Sequence, residues 1–186
     1  YKQNYKISKI AKYSDKQLVE EAKELALKDV SNNYEINSLI ISMYTFDEEL
    51  FHEVHDEQSG NRSFDEIFEY TYLPLLDHIG VLWQTESIKP AHEHFISNLI
   101  YQKILKEITL ITKSPAKNSH VNILFLPEGE VHEIGLLYLY YVLKMRGERI
   151  VYLGRSIPFD NLFYLNSQFK KISWVCTFLI GKTQQD

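Results

Sequence analysis

Two spacings of apolar residues divide the chain. Through about residue 113 they recur every three or four positions, the period of a helix with one buried face. Ser14 and Gln17 form a capping-box pattern ahead of Leu18, Ala22, Leu25 and Ala26, which share one face of a short helix. A longer helix is predicted over 34–57, with Ile36, Leu39, Ile40, Met43, Leu50 and Val54 turned inward, and Ser-Gly-Asn-Arg at 59–62 ends it. Ser63 with Glu66 is a second capping box, opening a helix that carries Ile67, Phe68, Tyr72, Leu75, Leu76, Ile79 and Leu82. Pro74 lies inside that helix and marks a kink. Glu86–Pro90 reads as a turn, and Pro90 suits the first turn of a fourth helix reaching about Lys113. Four such helices with short connections predict an antiparallel bundle.

Beyond the polar stretch 113–120 the period changes. Residues 121–126, VNILFL, are a continuous apolar run, as in a parallel strand covered on both faces. A helix is predicted over about 131–146, stopped by Gly147. RIVYLG at 149–154 is a second strand, 157–171 a further helix, and ISWVCTFLI at 172–180 a third strand. This alternation predicts a Rossmann-like, flavodoxin-like α/β domain. The expected organisation is a connector at 1–13, a four-helix bundle at 14–113, a linker at 114–120 and an α/β domain at 121–186. The connector reads as the exit from something earlier. The last strand has nothing after it to cover it, so a fragment of a longer protein is expected.

Composition narrows the class. At 186 residues, with 45% hydrophobic and 24% charged, the chain has the make-up of a globular protein. A net charge of −5 argues against a broad basic face for DNA on this piece. The lone Cys176 excludes an internal disulfide framework and suits a reducing compartment. With no secretory signal and no apolar run of membrane-spanning length, a cytoplasmic protein is expected and no membrane partner. No nucleophile–base pair, phosphate loop or carboxylate pair stands at useful spacing, so no catalysis by this chain is expected.

The chemistry gathers where the first strand gives way to a helix. Glu130-x-His132-x-x-Gly135 places an imidazole at the C-terminal edge of the sheet, where ligands bind in such folds. One ring nitrogen is then available to a metal, while a carboxylate two residues earlier takes the other N–H and fixes the tautomer. Taken alone, His132 reads equally well as a solvated or capping loop residue. His92 and His94 sit at i,i+2 and do not share a helix face, which disfavours a zinc pair. His52 and His55 share a face, and HEVHDE reads mainly as a solvated acidic surface.

The strand–loop–helix setting of Glu130-x-His132-x-x-Gly135, with Gly154 and Pro158 after the second strand, resembles the cobalamin-binding domain family. That family's signature is Asp-x-His-x-x-Gly, and Glu in place of Asp is similar to the cobalamin-dependent regulators of the MerR family. Trp83, followed after nine residues by Glu93-His94, is similar to the CarH/LitR-type photoreceptor regulators, in which that spacing occurs in a four-helix bundle before the cobalamin domain. The opening YKISKIAKYSD resembles the exit from a MerR-type DNA-binding domain.

The resemblance implies cobalamin, as adenosylcobalamin or methylcobalamin, held between bundle and α/β domain. His132 would be the lower axial ligand of cobalt. Trp83 would cover the upper face, with Glu93 and His94 near a polar upper ligand, and Glu130, Gly135, Gly154 and Thr177 would complete the binding set. It also implies a homo-oligomer, DNA binding through an N-terminal domain outside this chain, and control of both by ligand or light. Two positions depart from the pattern. Gln84 stands beside Trp83 where the photoreceptors carry a histidine able to capture cobalt after photolysis. Cys176-Thr177-Phe178 stands where a Ser-x-Leu or Ser-x-Thr sequence lines the tunnel for the nucleotide tail. Two other functions remain open: a corrinoid carrier module for methyl transfer, and a regulator of this fold that has lost cobalamin.

Overall fold

In the computed structural model, residues 33–115 and 120–178 are described, so the capping box at Ser14 and its helix lie outside the described residues. The chain divides into two compact units, one through Leu99 and one from Ile100.

The first unit is helical. Helix α1 (Tyr34–Thr45) is capped by Asn33, whose side chain accepts from Ile36 N, and α2 (Glu48–Ser59) by Asp47, whose side chain accepts from Leu50 N. The continuous helix expected over 34–57 is therefore two. Phe46 between them takes a left-handed conformation, φ 56°, and the Asp47 carboxylate satisfies a free N–H of the new helix. Helix α3 (Phe64–Ile67) opens on the expected Ser63/Glu66 capping box. It runs through a π-turn (Phe68–Tyr72) into α4 (Leu73–Gln84). Leu73 N donates to Phe68 O across this wider turn. Pro74, which has no N–H and whose ring would crowd the carbonyl four residues back, is absorbed there. Helix α5 begins at Pro90, as expected, and runs to Leu110.

Leu39, Met43, Phe51, Ile67, Tyr72, Leu75 and Ile96 are fully enclosed. A polar thread runs among them. Tyr72 stacks against both Phe51 and His55, with ring centroids 6.0 Å apart in each pair, and its hydroxyl lies 2.7 Å from His55 Nδ1. Thr71 Oγ1 donates to Gln58 Oε1 at 2.6 Å, and Gln58 Nε2 donates to Val54 O. His55 thus corrects the solvated reading of HEVHDE. Only 4% of it is exposed, because its ring is sandwiched in the core and its nitrogen is paired there. His52, by contrast, pairs with Glu48 near the surface.

The second unit carries a parallel sheet of order β2-β1-β3. Strand β1 (His120–Pro127) is central, and every residue from Val121 to Leu126 is buried, as its unbroken apolar run requires. Helix α6 (Ile134–Arg146) sets Leu136 against Leu124 and Leu126 and ends on Gly147 at φ 78°. Its first turn comes later than expected, because Val131–Glu133 remain a loop. Strand β2 (Ile150–Ile157) and strand β3 (Lys171–Cys176) flank β1. The helix expected over 157–171 shrinks to α7 (Phe159–Leu162) and a 3-10 turn (Phe163–Ser167). Only Leu162 of this stretch is buried, while Phe159, Phe163 and Tyr164 are exposed, so no apolar face sustains a longer helix. The carboxyl end of α5 belongs to this unit, and Lys144 Nζ donates to its Ile108 O at 2.9 Å.

His78 on α4 is buried, and among the described residues its Nε2 has no partner. Burial pushes its pKa below the ordinary value, so the unfolded chain binds a proton more readily than the folded one. The stability of the helical unit is expected to fall as pH drops below about 6.5, the unfolded histidine value. In His78→Gln, denaturant midpoints between pH 5 and 7 should vary less. Separately, Tyr72→Phe removes the hydroxyl that faces His55 Nδ1 in the core, and urea unfolding is expected to register a loss of about 1–3 kcal/mol.

Candidate functional site

In the α/β unit, β1 sends its chain by way of α6 to β2 on one side, while β3 returns on the other. The connections diverge at the carboxyl end of β1, which is where open parallel sheets form a crevice for ligands. The loop there is Glu128–Glu133, and a single carboxylate organises it. Glu130 Oε1 accepts from Val131 N at 2.8 Å, from His132 N at 2.9 Å and from His132 Nδ1 at 2.6 Å. The Glu130 side chain is only 12% exposed, and the His132 side chain 61%. A carboxylate only accepts, so Nδ1 carries the proton in this bond. The result is an exposed imidazole whose Nδ1 is tied to the Glu130 carboxylate.

The neighbouring strand braces this loop. Gly129 N donates to Ser156 Oγ at 3.2 Å, and Ser156 holds φ 56°. Glu133 turns inward, 11% exposed, where Tyr152 Oη donates to it at 2.8 Å and Arg155 Nε lies 3.9 Å away. Burial, then the bond to Glu133, pushes the Tyr152 phenol far up, so it stays a donor. Gly154 sits beside this pair with φ 80°, and a Cβ there would lie 3.3 Å from Glu133 Oε1. The protein's own packing thus takes up the room that a side chain at Gly154 would need. Gly135 differs. It is exposed in the first turn of α6, and nothing lies within 4 Å of where its Cβ would be. Thr177 is half-buried immediately after β3, next to the exposed Cys176.

In the helical unit, Trp83 lies in the last turn of α4 and Glu93 in the first turn of α5, joined through Thr85–Lys89. The connector is tight: Glu86 N donates to Trp83 O and Ser87 N to Leu82 O. Trp83 is 49% exposed, which removes it from the bundle-end core. Glu93 Oε1 accepts from Ser97 Oγ at 2.7 Å, and its Oε2 lies 3.8 Å from His94 Nδ1. The His94 side chain is 74% exposed. His92 is engaged elsewhere, accepting from Lys89 N and stacking on Phe46. Trp83, Glu93 and His94 thus share one end of the helical unit, while in the other unit Glu130 and His132 share one loop and Gly135 lies in the helix turn that follows it.

Sequence reasoning did not single out Glu133, Tyr152, Arg155 and Ser156. An acid at a helix start was a visible signal for Glu133. The left-handed Ser156 carried none.

A domain class emerges from comparison with known proteins. Residues 35–105 match the family described as B12 binding domain, whose cofactor is cobalamin; the match does not distinguish among its forms. Two curated relatives come from Myxococcus xanthus. The chain is similar to the HTH-type transcriptional repressor CarH, 26% identical over 126 residues, covering 67% of this chain and 41% of the repressor. It is also similar to the HTH-type transcriptional repressor CarA, 36% identical over 86 residues, covering 46% of this chain and 27% of that protein. The chain therefore spans less than half the length of either. Among solved structures, the methanol:cobalamin methyltransferase complex MtaBC from Methanosarcina barkeri is 15% identical with TM-score 0.42, covering 95% of this chain and 68% of that one. A cobalamin-binding protein from Desulfitobacterium hafniense DCB-2 is likewise 15% identical, with TM-score 0.35, over 75% and 67%. No described helix is long and apolar enough to cross a membrane.

The two glycines should respond oppositely. Gly154→Ala is expected to lose about 1–2 kcal/mol in chemical denaturation, since the left-handed conformation and Glu133 both resist a side chain. Gly135→Ala is expected to be neutral or to gain up to about 1 kcal/mol in the same assay.

Proposed function

We propose that this chain is the cobalamin-binding sensor region of a transcription regulator, with His132 as the lower axial ligand of cobalt. The observation that carries the reading is the Glu130 clamp. It fixes the Nδ1–H tautomer, leaves Nε2 as a donor on an exposed ring, and does so at the ligand edge of a parallel sheet. The residues present suit the cofactor: a neutral imidazole nitrogen is a good ligand for cobalt, and the clearance at Gly135 admits a bulky group close to the backbone. The B12 binding domain match over 35–105 supports the same ligand from the helical side.

Bound cobalamin supplies a cobalt centre whose upper axial group distinguishes its chemical states. The chain's own residues bind and orient it. His132 would hold it from the sheet side. Trp83, exposed at the end of its helix, would cover its other face, and Glu93 and His94 would offer an acceptor and a donor to a polar group there. Gly154 and Thr177 would complete the set on the sheet side. A change of upper group, by exchange or light, would favour one state of self-association over another and alter binding to DNA through a domain outside this chain. Similarity to two HTH-type transcriptional repressors supports that regulatory part over a methyl-carrier role.

Titration of the purified chain with methylcobalamin and adenosylcobalamin, followed by visible absorption, tests the reading. A saturable band shift is expected in the parent and its loss in His132→Ala. Glu130→Gln is expected to weaken binding about 10–100-fold, the usual effect of removing a group that orients a metal ligand. A parent chain that gives no shift with either cobalamin would overturn the assignment.

A further inference from the structure

Three alternate residues of β2 meet the loop that carries His132. Tyr152 Oη donates to Glu133 Oε1 at 2.8 Å, a Cβ at Gly154 would lie 3.3 Å from that same oxygen, and Ser156 Oγ accepts from Gly129 N at 3.2 Å. Gly129 and Glu133 bracket His132, so the loop is tied to one strand on both sides of the imidazole. The strand is irregular over the same stretch. Its register on β1 shifts after Leu124 and again after Phe125, and Ser156 holds φ 56°, a conformation uncommon outside glycine. Irregularities of this kind re-aim side chains and gather near functional sites.

The Tyr152 ring stacks on Tyr140 of α6, with centroids 5.0 Å apart and an interplanar angle of 19°. A phenylalanine would keep that stack. The hydroxyl is therefore not needed to pack the ring, and it is spent on Glu133, the neighbour of His132 in sequence. An aliphatic side chain at position 133 could also cover β2. Apolar contact is non-directional, however, whereas a phenol–carboxylate bond selects one arrangement.

We propose that Tyr152 is a positioning residue for His132, its phenol holding Glu133 and with it the end of the loop against β2. This rests on the proposed function for the ligand that His132 meets. The hold on the loop is a property of the chain without cofactor, and it can be measured there.

The test compares parent, Tyr152→Phe, Glu133→Ala and Glu133→Gln by amide hydrogen exchange without cofactor and by titration with methylcobalamin. The amides of Val131 and His132, which donate to Glu130 within the loop, report how well it is held. In Tyr152→Phe and Glu133→Ala both should exchange about fivefold or more faster, because the loop then opens without breaking the phenol bond. Glu133→Gln keeps an oxygen that accepts from the phenol and should exchange as the parent does. Tyr152→Phe should also bind methylcobalamin about tenfold more weakly, the scale for groups that orient a metal ligand from behind. A purely structural role would speed exchange at Ile123 and Leu124 in β1 and leave Val131 and His132 at parent rates, and that result overturns the inference. Faster loop exchange with parent-like methylcobalamin affinity overturns it as well, and leaves the proposed function standing. If Tyr152→Phe does not fold, the Glu133 variants decide, and equal loop exchange in Glu133→Ala and Glu133→Gln overturns the inference. A parent that binds no cobalamin overturns the proposed function, while the exchange rates still decide whether Tyr152 places His132.

Discussion

Three hydrogen atoms meet one carboxylate oxygen at Glu130, two from the backbone and one from an imidazole. That convergence orders the loop between β1 and α6 without help from regular secondary structure. The oxygen is largely withdrawn from water, so the bonds it accepts are stronger than the same bonds at an open surface. The loop leads into α6, which begins at Ile134. The strand beside it adds a second restraint from Ser156. The His132 ring is thereby held at one nitrogen while most of its surface stays exposed.

The Glu133–Tyr152 pair shows how the same stretch meets an opposing demand. A second acid follows His132 directly, and left in the open it would compete for whatever approaches the ring. It is folded inward and held by the phenol and, more distantly, by Arg155, while Gly154 yields the volume it occupies. Neighbouring acids in one loop therefore do separate jobs, one turned to the histidine and one turned to the strand. The glycine within β2 is explained by that packing.

Much of this was legible in the chain itself. The unbroken run at 121–126 could only be a strand covered on both faces, and Ser63, Pro90 and Gly147 marked helix limits through their own backbone chemistry. The Glu130–His132 pairing followed from a two-residue spacing. What escaped depended on contacts distant in sequence. Asp47 is a good cap, but an apolar period running through it masked the break at Phe46. His55 looked solvated amid its acidic neighbours, and only the Tyr72 hydroxyl, seventeen positions on, reveals the partner that lets it be buried. The 157–171 stretch had helical spacing but too little to pack against. Trp83 could be assigned to core or surface only once the neighbours of α4 were known.

The π-turn ahead of Pro74 carries a consequence of its own. Each residue advances an α-helix by about 100° of rotation, so one surplus residue in a turn re-aims all that follows. Leu75, Ile79 and Leu82 find the interior at their present azimuth, and the indole of Trp83 is left on the outside by the same rotation. The bulge around Phe68–Tyr72 acts as an angular offset built into the chain. It separates the direction of the capped start of the helix from the direction in which its far end faces the solvent.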